Sequence, residues 1–212
     1  MATLRVDPQR DALLAIDIQN DFCSGGNLEI RGGEEVVLPV NELMSHFRHV
    51  ILTQDWHPPG HHSFASAHAG RQPRETIELA YGEQTLWPDH CVQGTRGAAF
   101  HSDLHTDAAT MIVRKGTRRE LDSYSAFLEN DQQTPTGLGG ALEELGIRRL
   151  FVAGLATDVC VLYSVRDARK LGFDVVLVED ACRGIDIGGS LEDAIAEMRS
   201  AGVLIAGAAS VG

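Results

Sequence analysis

The sequence lacks any long hydrophobic run. Its 212 residues contain no stretch of about 18 consecutive apolar residues, so we predict no membrane-spanning helix and no membrane partner. The opening residues, MATLRVDPQRDALL, lack the apolar core of a secretory signal, which leads us to expect a cytoplasmic location. Paired C-x-x-C cysteines are also lacking. The scattered cysteines, which are Cys23, Cys91, Cys160 and Cys182, favour free thiols in a reducing compartment.

Basic residues are scarce relative to acidic ones. The chain has 18 Lys and Arg against 30 Asp and Glu, which gives a formal net charge of -12. Such a charge repels nucleic acid and anionic membrane surfaces, so we expect no nucleic-acid partner. With 43% hydrophobic and 23% charged residues, the composition is that of a globular protein. We predict a single domain over residues 1–212, and the subunit number, including a homo-oligomer, stays open.

Apolar runs of strand length alternate with segments of helical period. We predict strands at 12–17, 50–55, 110–116, 149–155, 174–180 and 203–208. Helices are predicted at 34–47, 139–146, 157–172 and 191–202. Nearly continuous apolar strands separated by helices indicate an α/β fold, a doubly wound and mostly parallel six-stranded sheet with helices on both faces. The stretch 56–110 is rich in His, Pro and Gly and shows little periodicity, which is typical of a functional insertion.

Three polar residues stand at the ends of predicted strands. Asp17 ends the first strand, Lys115 the third, and Cys160 follows the fourth across the turn GLATDVC. Because parallel strands gather their carboxyl ends along one edge of the sheet, we expect these side chains to meet. Each alone has an ordinary explanation: a strand-end carboxylate, a solvated lysine and a packed thiol. Together they predict a cysteine nucleophile with a proton carrier and a cation that favours the thiolate.

The position of Cys160 near a helix start is not sufficient to activate it. A free cysteine has a pKa of about 8.5. A helix terminus contributes only about 0.3–1 kcal/mol, whereas one pKa unit corresponds to about 1.4 kcal/mol. We therefore expect Lys115 and a proton-accepting carboxylate to supply the rest. The other three cysteines lack this setting, and we interpret them as packing residues.

The segment TQDWHPPGHHSF contains a candidate metal site. On an extended chain Asp55 and His57 project to the same side, and their oxygen and nitrogen atoms suit zinc, iron or manganese. A third ligand could come from His61, His62, His68 or His90. The alternative is that this His-rich loop is only a polar surface, since two ligands are too few to be diagnostic.

Five segments, in order from about residue 12 to 187, carry a family resemblance. They are AIDIQNDFCSGGNLEIRGG, TQDWHPPGHHSFAS, LWPDHCVQGTRGAAFH, VRKGTRRELDSYSAF and VAGLATDVCVLYSVRDA. Together they resemble the isochorismatase-like cysteine hydrolases, and within them the nicotinamidase and pyrazinamidase group. The resemblance implies metal-dependent hydrolysis of nicotinamide to nicotinate and ammonia in NAD salvage, with pyrazinamide as a further substrate.

The resemblance also implies roles for individual residues. It makes Asp17, Lys115 and Cys160 a catalytic triad and places an oxyanion hole at the N–H groups of Ala156 and Cys160, after a cis peptide bond. The implied metal ligands of one divalent ion, with zinc first and iron or manganese as alternatives, are Asp55, His57 and His90, with His61 or His62 as a possible addition. The implied aromatic walls for the substrate ring are Phe22, Trp87 and Tyr124.

Two alternative functions remain compatible with these residues. One is a metal-free relative that acts on another small amide, such as a carbamoyl amino acid, or on isochorismate. The other is a non-catalytic metal-binding or redox-sensing protein that uses Cys160. The second alternative gives no reason for Asp17 and Lys115 to stand at separate strand ends.

Overall fold

Eight strands occur in the computed structural model of the protein, which describes residues 3–212. They are β1 (Asp11–Ile16), β2 (His49–Asp55), β3 (Thr76–Leu79), β4 (Gly82–Thr85), β5 (Met111–Lys115), β6 (Arg149–Leu155), β7 (Asp174–Arg183) and β8 (Leu204–Ala206). Six of them form one parallel sheet in the order β5-β2-β1-β6-β7-β8. The predicted six-stranded α/β sheet is confirmed. The predicted single domain includes Met1 and Ala2, which lie outside the described residues.

Four α-helices connect the strands: α1 (Val37–Met44), α2 (Leu138–Glu144), α3 (Leu162–Lys170) and α4 (Ser190–Ser200). The chain moves from β1 through β2 to β5 in one direction and from β6 through β7 to β8 in the other. Because parallel crossovers are right-handed, this reversal places α1 on one face of the sheet and α2, α3 and α4 on the other. Within residues 3–212, every helix is too short or too polar to cross a membrane.

The central strand β1 explains why the sheet is doubly covered. All six of its residues are buried, and Leu13 pairs with Val50 of β2 and Phe151 of β6. The strand order reverses between β1 and β6, so a crevice opens at their carboxyl ends. Asp17 follows β1 directly at this crevice, and the turn that contains Cys160 follows β6.

The structure corrects several predicted boundaries. The region 56–110 contains the hairpin of β3 and β4, whose sequences TIEL and GEQT are too short and too polar to give a periodic signal. The predicted helix at 34–47 begins as a 3-10 turn, Gly33–Val36, before α1. Residues Thr157–Val161 form a π-turn that precedes α3, so Cys160 lies in this turn and not in the α-helix itself.

Gly154 of β6 packs directly against the backbone of β1. Its φ is 114°, the register of β6 shifts beside it, and a Cβ there would overlap the backbone of Ile16. We predict that Gly154→Ala lowers the free energy of unfolding by about 2–4 kcal/mol, because it adds backbone strain and overpacking. Urea unfolding measures this loss.

Gly140→Ala is the matched control for Gly154→Ala. Gly140 lies in α2, and a Cβ there would meet no atom within 4 Å. We expect a neutral effect or a gain of up to about 1 kcal/mol, since alanine restricts the unfolded chain. Equal effects of the two substitutions would contradict the proposed overlap with β1.

Candidate active site

A buried lysine gathers the strand-end groups at the crevice. Lys115 ends β5, and its Nζ lies 2.8 Å from Oδ2 of Asp17 and 2.5 Å from Oδ1 of Asp55. The same nitrogen donates to the carbonyl of Ser123 at 3.0 Å and lies 3.5 Å from Sγ of Cys160. The structure therefore brings together the three residues that strand order predicted, and it adds Asp55 to them.

Asp17 is fixed on both sides. The Thr53 hydroxyl donates to its Oδ1 at 2.6 Å and accepts from its backbone N–H at 3.1 Å. The other carboxylate oxygen pairs with Lys115. Oxygens of Asp17 and Asp55 and the Sγ of Cys160 lie within 4.8 Å of one another. The Asp17 carboxylate is therefore a candidate acceptor for the thiol proton.

Burial and charge set the proton affinities of this cluster. Complete burial raises the pKa of Asp17 to about 6, although Lys115 opposes the rise. Burial would lower the pKa of Lys115, but the Asp17 and Asp55 carboxylates outweigh it and hold that pKa well above its ordinary value. Lys115 is therefore a permanent ammonium, whereas Asp17, with a pKa of about 6, can exchange a proton near neutrality.

Cys160 is a protonated thiol in this setting. Burial raises its pKa well above the ordinary value, and the Asp17 and Asp55 carboxylates raise it further. Lys115 lowers the pKa, as the sequence analysis expected, but one ammonium does not offset burial and two carboxylates. The thiol must therefore lose its proton to a base during any reaction.

The residues predicted to bind metal form a second cluster around the end of β2. Oδ2 of Asp55 lies 3.6 Å from Nε2 of His57 and 3.9 Å from Nε2 of His90. Nδ1 of His57 donates to the carbonyl of Gly116 at 2.9 Å, and Nδ1 of His90 donates to that of Pro88 at 2.8 Å. Carbonyls only accept, so Nδ1 carries a proton in each ring, and in the neutral form of each ring Nε2 is the nitrogen left to coordinate a metal.

His61 lies beside this cluster but has other partners. Its ring is 4.3 Å from that of His57, and it groups with His57 and Asp122, not with His90. Its Nδ1 accepts from the N–H of Ser63 at 3.3 Å, and its Nε2 faces the carbonyl of Leu121 at 3.4 Å. With both nitrogens engaged, His61 is a poorer ligand than the other three residues.

The remaining histidines of the loop stand apart. His62 and His68 are half-buried, and Nε2 of His68 contacts the carbonyl of His62 at 2.8 Å. Neither belongs to the groups that could hold an ion among residues 3–212. Sequence reasoning missed Asp122, a buried carboxylate near His57, because nothing in the segment RRELDSY distinguishes it from a surface acid.

The predicted aromatic residues line a narrow cavity between the two clusters. Phe22, Trp87 and Tyr124 are at its wall, and Phe22 lies 5.6 Å from the ring of His90. Missed apolar members are Leu28, Val159 and Ile185. Flat apolar walls with a few polar groups at the ends suit a small aromatic ring.

A hydrogen-bond network fixes the aromatic wall from outside. Trp87 donates its indole N–H to the Tyr124 hydroxyl at 3.1 Å. Gln84 of β4 donates to the same hydroxyl at 2.9 Å and to Asp122 at 2.9 Å. The β3–β4 hairpin is therefore joined to the cavity wall.

The turn after β6 presents Ala156 and Cys160 to the same cavity. The Leu155–Ala156 peptide bond is cis, as the resemblance implies. The Ser164 hydroxyl donates a hydrogen bond to the carbonyl of Cys160 at 2.7 Å. It accepts one from the N–H of Ala126 at 2.8 Å. These bonds tie the nucleophile turn to the first turn of α3.

Comparison with known proteins identifies the family. The family model for the isochorismatase domain matches residues 11–210. The chain belongs to the isochorismatase family. It is 48% identical over 192 residues to the nicotinamidase of Acinetobacter baylyi, with 91% of this chain and 90% of that protein covered. This similarity confirms the resemblance drawn from the five motifs.

Solved structures agree over nearly the whole chain. The fold is similar to a nicotinamidase and pyrazinamidase from Acinetobacter baumanii, with a TM-score of 0.94, 50% identity and coverage of 96% and 99% of the two chains. A protein from L. infantum, solved with nicotinate, has a TM-score of 0.87, 39% identity and coverage of 99% and 98%. The pyrazinamidase of Pyrococcus horikoshii, solved with zinc, has a TM-score of 0.76, 35% identity and coverage of 93% and 99%.

Removing the Asp17 charge should make Cys160 more reactive toward a simple electrophile. At about 5 Å and an effective dielectric constant of about 20, a unit charge contributes roughly 3 kcal/mol, or about two pKa units. We predict that Asp17→Asn lowers the pKa of Cys160 and speeds its labelling by iodoacetamide at least about tenfold near pH 8. Mass spectrometry of the labelled peptide measures the rate.

Asp174→Asn is the control for this experiment, because Asp174 is an exposed carboxylate at the start of β7. Its labelling profile should match that of the unsubstituted protein. If Asp17→Asn left the pH profile of labelling unchanged, Asp17 would not be the charge that keeps the thiol protonated.

Proposed function

We propose that this chain is a metal-dependent nicotinamidase (EC 3.5.1.19) that hydrolyses nicotinamide to nicotinate and ammonia, and that it also accepts pyrazinamide. The proposal rests on one juxtaposition: Cys160, His57 and His90 line the same narrow, aromatic-walled cavity. A heteroaromatic carboxamide matches this arrangement, because its ring nitrogen suits the histidine end of the cavity and its carboxamide carbon suits the thiol end. The named relatives support the same substrate class.

The cavity fits one divalent ion. Asp55, His57 and His90 would hold it, because their ligand atoms lie together and Nδ1 of each imidazole is hydrogen-bonded to a backbone carbonyl, which leaves Nε2 to coordinate the ion. Zinc is our first candidate, with iron and manganese as alternatives for the same oxygen and nitrogen ligands. When bound, the ion would accept the ring nitrogen and so fix the ring, a template role.

The side chains of Asp17 and Cys160 then carry out proton transfer and covalent catalysis. Asp17 takes the proton of Cys160, and the sulfur attacks the carboxamide carbon. The N–H groups of Ala156 and Cys160 stabilise the tetrahedral oxygen, and one such donor is typically worth roughly 3 kcal/mol. The C–N bond breaks as Asp17 returns the proton to the departing ammonia. A thioester on Cys160 remains.

Hydrolysis of the thioester uses the same base. Asp17 removes a proton from water, the hydroxide attacks the acyl carbon, and Asp17 gives the proton to sulfur as the C–S bond breaks. The nicotinic acid formed then loses its remaining proton to solvent as nicotinate. A pKa of about 6 suits Asp17 for both directions of this transfer near neutrality. Lys115 stays charged throughout and stabilises the carboxylate or thiolate beside it. The aromatic residues Phe22, Trp87 and Tyr124 hold the ring.

Residues 1–212 act as one domain in this proposal, and the reaction belongs to NAD salvage in the cytoplasm. The scattered cysteines support a reducing compartment. The acidic composition supports a small-molecule substrate over a nucleic acid.

Ammonia release tests the substrate and the metal together. We expect hydrolysis of nicotinamide to depend on the ion, with a chelator raising KM sharply and lowering kcat through misplacement of the ring. Benzamide has the carboxamide but no ring nitrogen, so it should be a poor substrate that gains little from added metal. Equal, metal-dependent hydrolysis of benzamide would exclude the template role, and metal-independent hydrolysis of nicotinamide would favour a metal-free relative.

Two cysteine variants complete that assay. Cys160→Ser should be nearly inactive, since a hydroxyl is far harder to deprotonate with the same neighbours. Cys23→Ser is the control, because Cys23 is buried outside the cavity and should leave turnover nearly intact. Near-normal turnover by Cys160→Ser would refute covalent catalysis.

The acid side of the pH profile should report Asp17. Its carboxylate must be deprotonated to accept the thiol proton, so we predict that kcat/KM falls about tenfold per pH unit below the pKa of about 6. Thr53→Val removes a hydrogen bond that lowers this pKa, and the acid limb should therefore move to higher pH. A limb that does not move in Thr53→Val would belong to another group.

A further inference from the structure

The loop that follows β1 contains two buried polar residues that the proposed mechanism does not use. Its sequence is DIQNDF, from Asp17 to Phe22. Gln19 and Asp21 are buried, whereas Asn20 between them is half-buried at the surface. Burying an amide and a carboxylate is unfavourable unless each is fully hydrogen-bonded, so their partners indicate what they do.

Gln19 clamps the backbone of Asp55. Its Oε1 accepts the N–H of Asp55 at 2.8 Å, and its Nε2 donates to the carbonyl of the same residue at 2.8 Å. The second hydrogen of Nε2 goes to the carbonyl of Ala98 at 2.9 Å. The amide therefore holds both sides of one residue. This fixes the direction in which the Asp55 carboxylate leaves the end of β2.

Asp21 fixes the backbone next to His90 in a similar way. Its Oδ2 accepts the N–H of Cys91, the residue after His90, at 2.7 Å, and its Oδ1 accepts the N–H of Asn27 at 3.1 Å. Cys91 has a φ of 47°, and its carbonyl accepts the N–H of His57 at 3.0 Å. One carboxylate thus holds the turn to which both metal-site histidines are attached.

The chain packs closely against the Asp21 carboxylate at Gly97. A Cβ at Gly97 would overlap the Asp21 carboxylate, so the chain passes directly against it. The backbone N–H of Asp21 also donates to the carbonyl of Gly97 at 3.0 Å. The carboxylate can reach Cys91 only because position 97 has no side chain.

We propose that Gln19 and Asp21 are positioning residues for the metal ligands, an inference that rests on the metal site of the proposed function. Gln19 orients Asp55, and Asp21 orients His90 and, through Cys91, His57. Both stand on the loop that begins with Asp17. One short segment therefore sets the distance between the proton carrier and the ion, and hence between the thiol and a ring held by that ion.

The test uses isosteric variants and measures metal binding without turnover. Gln19→Glu replaces the donor that faces two carbonyls with an acceptor, and Asp21→Asn removes one of two acceptors. Asn20→Asp is the matched control, because it makes the same amide-to-carboxylate change as Gln19→Glu at the neighbouring residue. The Asn20 amide donates only to the carbonyls of Arg96 and Phe100. Gln19→Met gives an uncharged second variant at that position.

Each protein is loaded with Co²⁺ or Zn²⁺. The visible spectrum of the Co²⁺ form reports the ligand geometry, and transfer of Zn²⁺ to a chelator reports its release. We expect release to be about 10–100-fold faster in Gln19→Glu and Asp21→Asn, with an altered Co²⁺ spectrum, because partners of metal ligands typically have effects of that size. Asn20→Asp should keep the rate and spectrum of the unsubstituted protein.

Thermal unfolding of the metal-free forms separates positioning from general stability. Faster release with an altered spectrum, in variants that still unfold cooperatively, supports the proposal. Release rates and spectra equal to those of the unsubstituted protein would overturn it, even if the variants unfold at lower temperature. If the unsubstituted protein itself bound neither ion, the metal site of the proposed function would fail, and this inference with it.

Discussion

A single buried ammonium organises the crevice. Lys115 lies between Asp17 and Asp55, and without its charge two buried carboxylates would face each other. Burying such charges is costly, and buried ion pairs are often no more stabilising than apolar residues of similar size. We therefore do not regard the cluster as a source of stability. Its effect is to place the Asp17 carboxylate, with its raised pKa, beside the thiol of Cys160.

The same ammonium joins the two halves of the proposed site. Asp17 and Cys160 lie on the side that handles protons and covalent bonds, and Asp55 lies on the side that would hold an ion. Lys115 contacts all three side chains. The carboxylate of Asp55 is thus shared: one oxygen faces Lys115 and the other faces the imidazoles of His57 and His90. Positioning the ring and activating the nucleophile are consequently not independent properties of this fold.

Much of the sheet and of the site could be predicted from the sequence, for identifiable reasons. Buried parallel strands form continuous apolar runs, and their carboxyl ends fix where Asp17, Lys115 and Cys160 meet. Local patterns contain no information on long-range partners, so Gln19, Asp21 and Asp122 could not be distinguished from surface polar residues. The pKa of Cys160 was also beyond the sequence, because its direction depends on how burial and three neighbouring charges balance in space.

The β3–β4 hairpin supports part of the cavity wall, and it lies outside the parallel sheet that carries the reacting groups. Gln84, on the second strand of this hairpin, holds Tyr124 and through it Trp87, while the strand-end cluster belongs entirely to the parallel sheet. One part of the ring wall is therefore supported from outside the sheet that carries the reacting groups. Changes in the length or sequence of the hairpin can alter which ring is accepted while the sheet stays as it is. A substitution at Gln84 would thus reach the ring through Tyr124 without touching Asp17, Lys115 or Cys160.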